Sequence, residues 1–216
     1  MSMIPDPVAT AGLVAREVRS GSRGDTPTRT VIARRTYSTD QADLWDALTN
    51  AERLPRWFLP ISGELAIGGQ YQLKGNAGGT IEQCEPPDSL SVTWEMGPQV
   101  SWLRVRLSPA GKGTELELEH EAPVDPEFWA QYGPGATGAG WDLALMGLGL
   151  HLASGEAIDP DVENAFSTSP EGVEFVRACA SAWARAAIAD GDDPDSAHAA
   201  AERTLAFYTT VPEDET

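Results

Sequence analysis

Seven tryptophans in 216 residues are the first chemistry to weigh: Trp45, Trp57, Trp94, Trp102, Trp129, Trp141 and Trp183. With Phe58, Tyr71 and Met146 they can build a pocket with large apolar walls and a few polar tips, the usual lining of a small-molecule site. Any one of them alone reads as core. Other chemistry-bearing types are sparse. His120, His151 and His198 stand in separate elements, no two at ligand spacing and neither Cys84 nor Cys179 beside them, so no metal centre is expected. There is no G-x-S-x-G elbow and no Cys–His signature to anchor nucleophilic catalysis. Gly133 to Gly138 satisfy G-x-G-x-x-G, yet no strand precedes them, no parallel β-α-β unit surrounds them and Pro134 removes an amide donor. That run is expected to be a flexible linker between helices, and no cofactor is expected. Of the histidines only His120, at the end of a strand and on its apolar side, is a candidate for the site.

The elements that must position these residues show in the periodicity. Thr30–Tyr37 is β-branched and aromatic and reads as a strand, with one more strand near Ala11–Arg19. Ser38 with Gln41 fits a capping box for a helix whose face is Gln41, Leu44, Trp45 and Leu48. A short second helix opens at Asn50 and carries Leu54. From Ser62 the pattern becomes an antiparallel meander punctuated by Gly68-Gly69, Asn76–Gly79, Pro86–Asp88, Gly97-Pro98 and Gly111–Gly113. In its clearest strands Leu103, Val105 and Leu107 share one face, and Leu116 and Leu118 alternate with Glu115, Glu117 and Glu119, which are expected to form a solvated charged surface. Trp141–Leu152 is apolar on nearly every side apart from Asp142 and His151, so it must be covered on two sides. The sheet supplies one cover. The other is a C-terminal pair of helices, one over Pro170–Asp190 capped by Thr168 with Glu171, the next over Pro194–Tyr208 capped by Asp193, with Val176, Ala180, Trp183 and Ala187 facing the apolar helix.

Charge bounds the partners. Asp and Glu number 33 against 15 Lys and Arg, a net charge of -18, which argues against nucleic acid and anionic membrane surfaces. The apolar run Leu143–Leu152 is far below the roughly 20 residues of a membrane span. Two cysteines make no disulfide scaffold and the first residues do not read as a secretory leader, so a cytoplasmic location is expected. Residues 154–216 hold 14 acids and 3 bases, which sets a boundary near Ser154-Gly155. The expected organisation is an N-terminal extension over 1–28, a main domain over 29–153 and an acidic helical extension over 154–216, ending in a frayed PEDET tail.

The order of elements, an α+β arrangement of strand, two short helices, antiparallel meander and long apolar helix, resembles the helix-grip fold of the START-like (SRPBCC) superfamily. Within it the chain resembles the branch of heat-shock-protein ATPase activator homologues, typically small bacterial proteins. The carrying residues are Arg35–Tyr37, Leu44–Thr49, Arg53–Phe58, Gly68–Tyr71, Gly79–Ile81, Pro86-Pro87, Val92–Trp94, Gly113–Leu116 with His120, and Gly140-Trp141. The resemblance implies a curved sheet gripping a long C-terminal helix, with a hydrophobic cavity between them for an apolar, lipid-like or polycyclic ligand. It makes Trp45, Trp57, Phe58, Tyr71, Trp94, Trp102, His120, Trp141 and Met146 the candidate lining, with Gly147 and Gly149 thinning the helix beside the void. A ligand-binding protein that sequesters or senses a small apolar molecule, without cofactor or metal, is the leading expectation. An enzyme of the same fold, a polyketide cyclase or dehydratase with His120 as general acid or base, is the second. The third is a protein-interaction module docking through the acidic helices. A homodimer contact is one use for that extra layer, whereas the separate N-terminal domain on which the co-chaperone activity depends is not in this sequence, so a chaperone partner is not expected.

Overall fold

The computed structural model describes residues 3–210, and the PEDET tail lies outside them. A short helix α1 (Pro7–Ala11) leads into strands β1 (Ala15–Arg23), β2 (Thr26–Tyr37), β3 (Ile61–Gly63), β4 (Gln70–Leu73), β5 (Gly78–Glu85), β6 (Ser89–Met96), β7 (Gln99–Ala110) and β8 (Gly113–Pro123). They form one antiparallel sheet in the order β1-β2-β8-β7-β6-β5-β4-β3. Helix α2 (Gln41–Thr49) and a 3₁₀ turn at Leu54–Arg56 join β2 to β3, and α3 (Pro126–Tyr132), α4 (Gly135–Ser154), α5 (Pro160–Phe166), α6 (Pro170–Ala189) and α7 (Pro194–Thr209) follow β8.

The strand read at Thr30–Tyr37 is the second part of β2, which starts at Thr26 and is flanked by β1 and β8. The early strand is β1, a few residues later than the sequence suggests. Alternation along β8 puts Leu116, Leu118 and His120 inward and the three glutamates outward. Those glutamates are more than a solvated surface: Glu117 accepts from Arg34 at 2.5 Å and from Arg106, and Glu119 lies 3.6 Å from Arg19. A register shift between Ile81 and Gln83 breaks the regular pairing of β5 with β6, the kind of irregularity that bends a sheet.

Two caps fall beside their expected positions because runs of Ser, Thr and Asp offer adjacent candidates. Asp40, not Ser38, starts α2 by accepting from the Asp43 amide at 2.9 Å, while Gln41 reaches away to Asp88. Ser169, not Thr168, starts α6 by accepting from the Gly172 amide at 3.0 Å. Asp193 caps α7 through the Ser196 amide at 2.9 Å, as its position suggests.

The glycine-rich run is not a linker. Only Gly133, at φ +54°, breaks the chain after α3, and from Gly135 the run is the first turn and a half of α4. Its glycines admit neighbours: a Cβ on Gly138 would overlap the Trp183 indole, and one on Gly135 the Thr204 side chain. Helix α4 is thus sandwiched between the sheet and a second layer of α1, α6 and α7, the two-sided cover that an all-round apolar helix requires. Val176, Ala180, Trp183 and Ala187 are buried in that layer. Gly147 and Gly149 also serve neighbours rather than a void. A Cβ on Gly149 would strike the Arg35 guanidinium, and one on Gly147 would sit 3.1 Å from the Trp57 carbonyl oxygen.

Asp142, the one acid of α4, ties the layers together. It is fully buried and held by Arg16 of β1 through Nε at 3.1 Å and Nη2 at 2.9 Å, and by the Trp183 indole N–H of α6 at 2.8 Å. Arg16 also donates to the carbonyls of Val14 and Ala11, so all three of its guanidinium nitrogens are engaged. Burial pushes the Asp142 carboxyl up, while Arg16 and Trp183 pull it back down. Among the described residues no helix is long and apolar enough to cross a membrane.

Candidate functional site

Between the inner face of the sheet, α2, the 3₁₀ turn and the N-terminal half of α4 lies a cavity of about 330 Å³. That is at the small end of the roughly 300–1,000 Å³ range of ligand sites. Inward-facing Leu103, Val105, Leu116 and Leu118 of β7 and β8 form one wall, and Ala144, Leu145 and Trp141 of α4 form the opposite one. Trp45 and Leu48 of α2, with Leu54, Trp57 and Phe58 after it, close one end. The loop between β3 and β4 brings Leu65, Ala66 and Ile67 to the rim. Leu65 is 42% exposed and Ile67 65%, large apolar side chains left partly in water beside the cavity.

Six of the nine candidates, Trp45, Trp57, Phe58, Tyr71, Trp94 and Trp141, line this space. Four of these rings form a chain of contacts: Trp57 stacks on Phe58 at 5.5 Å, Phe58 on Trp141 at 6.4 Å, and Trp141 meets Trp94 edge-on at 5.1 Å. The other three lie elsewhere. Trp102 is on the outer face, its ring 3.9 Å from the Arg23 guanidinium carbon. The alternation that turns Leu103 and Val105 inward turns Trp102 and Arg104 outward. Met146 is on the opposite side of α4, packed with Phe166, Phe175, Val176 and Cys179.

His120 sits one layer behind the wall. The Trp141 indole N–H can only donate, so Nδ1 of His120 accepts it at 3.0 Å and the ring proton resides on Nε2. That proton faces Ser101 Oγ at 2.8 Å, and the Ser101 hydroxyl in turn donates to the Trp94 carbonyl at 3.0 Å. Both ring nitrogens are engaged, and burial pushes the imidazole pKa down to about 4. The histidine is therefore neutral at ordinary pH and acts as a strut that ties the Trp141 indole, through Ser101, to the Trp94 backbone. As a general acid or base it lacks a nitrogen facing the cavity.

The lining that sequence reasoning assigned to core or to loops consists of the aliphatic inner faces of β5 to β8 and the Leu65–Ile67 rim. The strand alternation carried a signal for the former, and nothing in the composition of the loop marked the latter. Among the described residues no Asp, Glu, Lys, Arg or His lines the cavity. The Trp57 N–H is engaged by the Ala47 carbonyl at 2.9 Å and the Tyr71 hydroxyl by the Thr93 carbonyl at 2.8 Å. Burial pushes the Tyr71 phenol up, so it stays protonated. The chemistry available is apolar burial with few polar contacts.

Residues 38–153 match the family described as Activator of Hsp90 ATPase homolog 1-like protein. Among solved structures, the solution structure of CalU16 from Micromonospora echinospora has 31% identity over 82% of this chain and 97% of CalU16, with a TM-score of 0.68. The crystal structure of the same protein gives 30% identity over 80% and 97%, with a TM-score of 0.64. Protein MLL2253 from Mesorhizobium loti has 25% identity over 58% of this chain and 97% of its own, with a TM-score of 0.51. No curated protein matches.

Proposed function

The chain belongs to the Activator of Hsp90 ATPase homolog 1-like protein family, and from that premise and the cavity we propose that it binds a small hydrophobic ligand in order to sequester or sense it. The observation that carries this reading is an apolar cavity of about 330 Å³ left inside a core that could have been filled by larger side chains. Interiors are normally close-packed, and an unfilled cavity lined by Leu and Val forfeits dispersion contacts. A ligand restores them, at roughly 25 cal/mol for each Å² of apolar surface removed from water. The same-fold enzyme reading finds less support, because His120 is locked behind Trp141 and, among the described residues, no charged group lines the space. The acidic helical layer over 154–209 is read as the cover of α4, with Asp142 as its rivet.

The test is native mass spectrometry of the purified chain beside a denatured control, followed by tryptophan-quenching titrations with fatty acids and polycyclic aromatics. The expected result is a co-purifying mass or saturable quenching that Ala144→Trp, which projects into the cavity, abolishes. Saturable quenching unchanged by Ala144→Trp would move the ligand elsewhere, and none at all would sink the reading.

A further inference from the structure

The hydrogen-bonding inventory of the wall is lopsided, and the lopsidedness selects a ligand. Four indoles line the cavity. Trp57 and Trp141 direct their N–H groups into the protein, to the Ala47 carbonyl and to His120. The N–H groups of Trp45 and Trp94 donate to no protein atom among the described residues, and neither is a fully enclosed orphan. The hydroxyls of Tyr71 and Thr49 already give their protons to the carbonyls of Thr93 and Trp45, both at 2.8 Å. Among the described residues no carboxylate, carboxamide or imidazole reaches the lining to receive a proton from a guest. Among the described residues the lining thus carries two indole N–H groups with no protein acceptor, and its side-chain acceptors are two hydroxyl oxygens and the Cys84 sulfur.

Resting on the ligand-binding reading, we propose that the cavity selects an apolar molecule bearing a hydrogen-bond acceptor, a ketone, ester or ether oxygen, and that Trp94 and Trp45 are the specificity-determining donors. A guest with an acceptor and no donor leaves nothing of its own unpaired on entry. A guest hydroxyl or amine gives up water for a wall with little to accept it, and a buried unpaired donor is costly. The His120 strut adds to the selection, because it holds Trp141 and the Trp94 backbone and so limits how far the wall can rearrange around a poorly matched guest.

The experiment compares 9-fluorenone with fluorene, which share a tricyclic skeleton and differ at one carbonyl. Affinities come from tryptophan quenching, and independently from protection of Cys84 against N-ethylmaleimide read by mass spectrometry, with Cys179, buried against Arg16, as the unreactive internal control. Wild type, Trp94→Phe, Trp45→Phe and Ala144→Trp are measured side by side. Fluorenone is expected to bind about five-fold more tightly than fluorene, the worth of one hydrogen bond. The Phe variant of whichever indole pairs with the carbonyl, Trp94→Phe or Trp45→Phe, should bring the two to parity and the other should not, both leaving fluorene within about two-fold, since phenylalanine keeps the ring face and removes only the N–H. Equal affinities in the wild type, with both signals abolished by Ala144→Trp, would overturn this inference and leave the ligand-binding reading standing. A preference for fluorenone that survives in both Phe variants would overturn the roles of Trp94 and Trp45. No saturable response to either compound would remove both readings.

Discussion

Replacing Arg16 by methionine keeps much of the side-chain volume and strips Asp142 of its one cationic partner among the described residues. The carboxylate is fully buried and the Arg16 side chain 5% exposed, so bulk water supplies neither charge with a substitute. Breaking one side of such a pair costs about 3–5 kcal/mol, because it strands the other charge. For a chain of this size that is a fall in Tm of roughly 6–20 °C. The loss has a pH signature. Burial already raises the Asp142 carboxyl above its ordinary 3.8, and with Arg16 gone little opposes it. A carboxyl raised in the folded state adds stability at pH values below its unfolded pKa and loses it as pH climbs through the folded one. The deficit of Arg16→Met should therefore be full at pH 8 and narrow toward pH 4.5, read by urea denaturation at each pH. Asp142→Leu completes a double-mutant cycle, in which Arg16→Met with Asp142→Leu should cost well under the sum of the singles although the Val14 and Ala11 carbonyls still lack their donor. Additivity within about 0.5 kcal/mol and a pH-independent deficit would refute the reasoning.

Other outcomes follow from single features. His120 has its pKa depressed to about 4, so its contribution to stability is present above about pH 6.5 and is lost as pH falls toward 4. His120→Gln should flatten that acid limb, worth about 3 kcal/mol, in urea titrations between pH 7 and 4. Gly138→Ala forces a methyl into the Trp183 ring and should destabilise by about 1–3 kcal/mol or more, whereas Gly97→Ala, with open space around it, should cost only what its positive φ imposes, and chemical denaturation separates the two. Leu65→Ser with Ile67→Ser should leave stability within about 0.5 kcal/mol and speed release of a bound aromatic probe in stopped-flow displacement, since both side chains border the cavity from exposed positions.

What was legible in the sequence is what two-fold and 3.6-fold periods encode. The inward set Leu103, Val105, Leu107, Leu116 and Leu118 and the need for a second cover over α4 follow from one chain segment at a time. Trp102 shows the limit of counting aromatics: the strand alternation already turned it outward, and its residue type suggested otherwise. Met146 shows the limit of periodicity, because an all-round apolar helix has no pattern to say which side faces the void. The glycines of α4 could not be assigned without Trp183, Thr204 and Arg35 in place, and the Arg16–Asp142–Trp183 cluster joins residues too far apart for any local signal to announce it.

The distance along the chain between those three partners also sets a schedule for synthesis. Helix α4 ends at Ser154 and the helix that covers its outer side ends at Ala189. At about 5–20 residues per second the ribosome needs roughly 2–7 s to emit that intervening stretch. For most of that interval the nascent chain carries a twenty-residue segment that is apolar on nearly every side, with Asp142 lacking its indole donor until Trp183 emerges. The last third of the chain thus works as a built-in shield for the segment made before it, and a ribosome stalled between the two would expose a sticky, half-riveted intermediate.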